Sequence, residues 1–212
     1  MTIGFLHTAE VHRGTFTGLL DEVAPGLAST HIVDEALLAD ARERGGVDDE
    51  LMSRLTFRLR EAARGASVVV CTCSTISGAA EALSGAIGVP VVRIDRPMAE
   101  RAVSSGSRIT VVAALQSTIG PTVGLIREVA ASRGLDPAVD EVVVSGAWGL
   151  FENGDLKGYV SVIAATIDSL DPAPDVVVLA QASMAAAAAF CTTAVPVLTS
   201  PRSAVDAAVA LA

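Results

Sequence analysis

Val68-Val69-Val70-Cys71-Thr72-Cys73-Ser74-Thr75 is the stretch of this chain best equipped for chemistry. A Val-rich run ends in thiols and hydroxyls, and a helical pattern follows at Ala79-Ala80-Glu81-Ala82-Leu83. That order predicts a buried parallel strand, a tight turn and a helix N-terminus. Helix N-termini favour anions and lower the pKa of nearby thiols. Cys73 is therefore expected to be a reactive acid/base or nucleophile beside a small carboxylate, with Ser74 and Thr75 as ligands. The competing reading, a structural thiol in an apolar strand, is preferred for Cys71 and Cys191.

Other polar groups fall at similar places. His7, Thr8 and Glu10 follow the first strand. His7 reads either as a surface-loop histidine or as a second acid/base titrating near neutrality. Gln116, Ser117, Thr118 and Thr122 lie in a polar stretch after a later strand. Like Ser74 and Thr75, the hydroxyl residues there read as turn formers and N-caps or as carboxylate ligands. Gln181-Ala182-Ser183 follows another Val-rich strand, where Gln181 and Ser183 could cap the next helix or orient substrate. His12 and His31 show no metal-ligand spacing with Cys71 or Cys73, and no Gly-rich phosphate fingerprint is present. No metal and no cofactor are expected.

The elements that must position these groups alternate. Strands are predicted at 2–7, 30–33, 67–72, 89–94, 108–115, 139–145, 175–180 and 195–199. Helices are predicted at 13–23, after an Asp34 N-cap, and at 51–63, 123–132, 156–170, 184–190 and 201–212. Residues 42–50 read as a charged loop, 116–122 as a polar turn, and the segment holding Trp148 and Phe151 as a Gly-rich loop. Strand-helix alternation implies an α/β fold of two pseudo-symmetric halves, each a mostly parallel sheet flanked by helices. The halves are placed at 1–96 with 201–212, and at 97–200. Ligands of open α/β sheets bind beyond the carboxyl ends of the strands, so the active site is expected in a cleft between the halves.

Composition narrows the partners. The 212 residues carry 15 basic and 24 acidic side chains, for a net charge of −9. No Lys/Arg cluster appears, so no nucleic-acid partner is expected. The apolar run at 176–198 contains Gln181 and Pro196 and reads as strand, helix and strand, so no membrane span is expected. Three cysteines and no basic leader point to a reducing, cytoplasmic setting. Exposed Ala/Val-rich helices would suit a homodimer.

Five pieces together resemble the aspartate/glutamate/hydantoin racemase superfamily. They are Val70-Cys71-Thr72-Cys73-Ser74-Thr75, Val89-Pro90-Val91-Val92, Leu115-Gln116-Ser117-Thr118-Ile119-Gly120-Pro121-Thr122, Val176-Val177-Val178-Leu179-Ala180-Gln181-Ala182-Ser183 and Val195-Pro196-Val197-Leu198. The resemblance implies cofactor-free proton chemistry next to a carboxylate, with the family's Cys-Asn/Ser-Thr turn at Cys73-Ser74-Thr75. In two-cysteine members one thiol from each half serves opposite faces of the substrate. Here the second thiol's place falls at Gln181, which is neither acid nor base at ordinary pH. One-cysteine relatives such as arylmalonate decarboxylase carry their thiol in the second half. The resemblance thus implies a racemase or isomerase of a small carboxylate. The alternatives are a decarboxylase or lyase with one cysteine proton donor, and a small-ligand binding protein without turnover.

Overall fold

Runs of β-branched residues alternate with helical periodicity, and parallel pairing is the outcome. The computed structural model describes residues 1–212. The order begins β1 (Thr2–His7), α1 (Val11–Val23), β2 (Ala28–Val33), α2 (Ala36–Arg44), α3 (Asp49–Ala62), β3 (Val68–Cys71), α4 (Ser74–Ala82), α5 (Ser84–Ile87) and β4 (Val91–Arg93). It continues α6 (Arg96–Ser105), β5 (Arg108–Ala113), α7 (Gln116–Ser132), β6 (Ala138–Val143), α8 (Ala147–Glu152) and α9 (Leu156–Asp168). β7 (Val176–Leu179), a 3-10 segment (Ala182–Phe190), β8 (Val197–Leu198) and α10 (Ser200–Leu211) complete it.

The chain divides into two units, Met1–Pro97 with Pro201–Ala212, and Met98–Ser200. Each holds one four-stranded sheet, ordered β2-β1-β3-β4 in the first and β6-β5-β7-β8 in the second. Every strand pair is parallel. The same order twice over is an internal repeat of the α/β pattern, as the alternation predicts.

In unit 1 the two sheet faces have different cores. Leu6, Val69 and Cys71 pack with Leu51, Leu55, Leu59 and Ala62 of α3 and with Ile76 and Ala80 of α4. Phe5, on the other face by strand alternation, packs against Phe16 of α1. A Cβ at Gly4 would meet the Ala62 carbonyl oxygen at 2.2 Å, so α3 lies against β1 only because residue 4 lacks a side chain.

Four local expectations are corrected. Asp34 does not cap α2, whose N-cap Glu35 makes no side-chain cap bond. Asp34 is instead buried and held by Arg54 (2.6 Å) and Arg58 (2.8 Å) of α3. Much of the expected charged loop is helical, and Asp48 caps α3 by accepting from the Leu51 N–H at 2.9 Å. Residues 116–122 are not a turn but the first turns of α7. Gly120 and Pro121 made them look like a breaker, yet the helix continues through Pro121, its sixth residue, which forgoes one i→i−4 hydrogen bond. Trp148 and Phe151 belong to α8 rather than a loop.

Candidate active site

In unit 1 the chain leaves β3 at Cys71 and stays extended to Cys73, the N-cap of α4. Cys73 is nearly buried, and its sulfur faces the backbone N–H groups of Thr75 and Ile76 and the hydroxyls of Thr8 and Thr75. Ser77 fixes the turn from behind, donating to the carbonyls of Cys71 (3.1 Å) and Cys73 (2.8 Å). In the next residue, the buried Ser74 hydroxyl has no hydrogen-bond partner. Unpartnered buried hydroxyls are uncommon and costly.

The expected lowering of the Cys73 pKa is not what the structure produces. Burial pushes the thiol up, and the four donors offset this only in part. Taking a thiolate out of water costs more here than these hydrogen bonds return. Cys71, deep in the α3-facing core, is pushed up to about 12 by the same effect and is a structural thiol.

His7 is corrected in both of its expected roles. It is the last residue of β1 and fully buried, so it is not a loop histidine. Burial first, then the positive charge of its neighbours His31, His12 and Arg13, brings its pKa down to about 3. It therefore stays neutral rather than titrating near neutrality. Its Nδ1 lies 2.9 Å from Thr72 Oγ1, and Thr72 donates its own hydrogen to the Leu6 carbonyl at 3.1 Å. The network thus assigns the proton to His7 Nδ1. Glu10 stays at the surface, paired with Arg13 at 2.7 Å.

Unit 2 repeats the arrangement with different side chains. Cys71 is in register with Leu6 and Leu179 with Val112. Two residues beyond each pair stand Cys73 with Thr8, and Gln181 with Ala114. Gln181 occupies in unit 2 the position that Cys73 occupies in unit 1. Its side-chain oxygen accepts from the N–H groups of Ala114 (2.7 Å) and Leu115 (3.1 Å). It does not cap the following 3-10 segment, because its oxygen is committed to the exit of β5. Ser183 is no cap either: its hydroxyl meets that of buried Tyr159 at 2.8 Å. Ala182, between them, is nearly buried. At the N-terminus of α7, Gln116 is exposed and Thr118 buried. The hydroxyls of Ser117 and Thr122 are without hydrogen-bond partners.

Two features escaped the sequence reading. Tyr159, the chain's one tyrosine, backs Ser183; a lone polar-tipped aromatic in an apolar helix was the available signal. Arg93, at the end of β4, binds Asp95 through two contacts of 2.7 and 3.0 Å, both residues buried. Charges directly after an apolar strand were the hint. No group of three His, Cys, Asp or Glu side chains could hold a metal ion. No helix is long and apolar enough to cross a membrane.

Two parallel sheets of repeated order, with polar residues gathered at the carboxyl ends of their strands, define a duplicated α/β protein. The Asp/Glu/Hydantoin racemase family model matches residues 8–208, and the chain belongs to that family. Its sequence has no significant match among curated proteins. Among solved structures it is similar to aspartate racemase from Picrophilus torridus, at 13% identity and a TM-score of 0.72, over 99% of this chain and 93% of that one. Glutamate racemase from Bacillus anthracis is similar at 17% identity and a TM-score of 0.72, over 99% and 80% of the two chains. A cysteine-bearing mutant of arylmalonate decarboxylase, in a sulfate-associated form, is similar at 18% identity and a TM-score of 0.61, over 100% and 93%.

Proposed function

We propose that the protein is a cofactor-independent isomerase that moves a proton at the carbon beside the carboxylate of a small, amino-acid-like substrate. Cys73 is its acid/base. The observation that carries this reading is the convergence of Thr8, Thr75 and the α4 N-terminus on the Cys73 sulfur, next to an unpartnered Ser74 hydroxyl. In the forward step the thiolate form of Cys73, the minor form given its burial, takes the α-proton. The C–H bond breaks, an S–H bond forms, and the electron pair spreads onto the carboxylate as an enediolate-like charge, which a proton from solvent then discharges at the α-carbon. Donors at a helix N-terminus are suited to hold that charge. Ser74, whose buried hydroxyl is unpartnered, is the further group we assign to substrate binding.

A second reading is favoured by two observations. Gln181 stands where a second thiol would stand, and burial keeps Cys73 protonated. A single S–H group is suited to a decarboxylase: the C–C bond breaks, carbon dioxide leaves, and the electron pair on the α-carbon takes the Cys73 proton.

One experiment separates these readings. Aspartate, glutamate, hydantoin, allantoin and an arylmalonate are incubated with the protein in deuterated water and followed by NMR. The first reading expects α-deuteration without loss of carbon dioxide, abolished in Cys73→Ala. Release of carbon dioxide from the malonate alone selects the second. Turnover that survives Cys73→Ala, or no turnover of any of them, counts against both, and the latter leaves a binding protein.

A further inference from the structure

The chain's three histidines lie far apart in sequence, yet they meet behind the Cys73 turn. The His7 ring stacks on His31, with centroids 5.2 Å apart, and lies 6.4 Å from that of His12. Phe5 and Phe16 complete the cluster. With its Nδ1 donating to Thr72, His7 Nε2 must accept, and it lies 2.9 Å from His31 Nδ1. The outer nitrogen of His31 lies 3.0 Å from Ser29 Oγ. A hydrogen-bonded chain therefore runs from β2 through β1 to β3.

Its place in the strands matters. Strand alternation puts the His7 ring on the Phe5 side, while Leu6, Cys71 and Cys73 belong to the α3 and α4 side. Thr8, one residue past His7, returns to that second side, where its hydroxyl meets the Cys73 sulfur. Thr72, which His7 holds, directly precedes Cys73. One ring thus ties together the two strand exits from which Thr8 and Cys73 reach each other.

We propose that the His31–His7–Thr72 chain is a latch that positions the Cys73 turn, keeping the Thr8 hydroxyl on the sulfur and letting go when acid protonates the histidines. His7 is in this view a positioning residue and not the second acid/base. Two protons on the His7–His31 pair put N–H against N–H and break the bond between them. The groups facing His7 offer little compensation. His31 comes from β2, His12 and Arg13 from α1, and Thr72 from the residue after β3. Glu10 is the sole acid, and it acts on His31 from the surface.

The proposal rests on the reading of Cys73 as the reactive group for its functional meaning, but it is measured on the sulfur alone. The test is the pH dependence of Cys73 alkylation by iodoacetamide, followed by mass spectrometry on the full chain. His7→Phe keeps an aromatic ring and cuts the chain. It should move the alkylation midpoint upward by about half a pH unit, slowing the reaction near neutrality by about threefold. His7→Asn, whose amide can still donate to Thr72, should restore most of the rate. Thr72→Val removes the acceptor, leaves every histidine in place, and should reproduce His7→Phe; it decides the matter if His7→Phe does not fold. Unchanged midpoints in the folded variants overturn the latch. Acid release is read by amide exchange across residues 72–77, corrected for intrinsic rates. It should rise about tenfold from about pH 6 to about pH 4 in the natural protein and stay level in His7→Asn. A flat profile in the natural protein overturns the release. Failure of Cys73→Ala to stop α-proton exchange would instead refute the reading of Cys73 as the acid/base and leave these measurements intact.

Discussion

At the scale of single residues, solvent access governs the thiols more than the helix terminus does. Cys71 is sealed in the core, Cys73 is nearly so, and Cys191 is partly exposed. Iodoacetamide should therefore label Cys191 first, Cys73 second and Cys71 last. Mass-spectrometric rates on the folded protein check that order, and Cys71 reacting with Cys73 would contradict it. Gln181 presents a different case. Its side-chain oxygen satisfies two buried N–H groups, and removing a buried acceptor leaves the donors unpaired. Gln181→Ala should cost about 2 kcal/mol of stability, measured by urea unfolding. Gln181→Cys should lose a similar amount, because a shorter thiol is a weaker acceptor.

At the scale of elements, helix α3 organises unit 1. Its apolar stripe covers β1 and β3, and its Arg54 and Arg58 reach Asp34 beyond the end of β2. Asp34→Ala leaves two guanidinium groups without their buried partner. Both arginines are about one-third exposed, which softens the loss, and about 2 kcal/mol is expected. The contact of α3 with β1 is less forgiving. At Gly4 an added methyl group meets backbone, which cannot rotate away as a side chain can. Gly4→Ala should destabilise by about 3 kcal/mol or more, visible as a lowered midpoint in thermal unfolding. Gly14→Ala, where nothing lies within 4 Å of the new atom, is the control and should be neutral or slightly stabilising.

At the scale of the whole molecule, buried histidines set the acid limit. His7 falls to about 3 and His12 to about 4, both chiefly through burial. In the unfolded chain they return to the ordinary value of 6.5. Between these values the unfolded state binds more protons than the folded one. Stability is then complete above the unfolded pKa and declines as pH falls towards the folded ones. Each histidine contributes a slope of about 1.4 kcal/mol per pH unit in that window. Urea unfolding at a series of pH values should show the decline beginning near pH 6, above the range where carboxylates protonate. A His12→Asn variant should flatten it by about half.

The sequence by itself determined the strand and helix alternation, because periodicity reports which faces must be buried. Val68–Cys71 and Val176–Leu179 could be read as buried strands, and Leu51, Leu55, Leu59 and Ala62 as one helix face. It also placed Cys73 and Gln181 at matching points of a repeat, which the strand register bears out. What it could not convey was environment. The protonation state of Cys73 depends on how much water reaches it, and that follows from the packing of residues distant in sequence. The polar stretch 116–122 joined a helix because Thr118, Ile119 and Thr122 bury one face of it with Val123, Leu125 and Ile126, and that packing outweighs the bond lost at Pro121. His7 meets His31 and Thr72 because parallel pairing of β1 with β2 and β3 brings together residues 24 and 65 positions apart. Local residue types set which elements can form; only the tertiary structure decided which of their polar groups lost water and found each other.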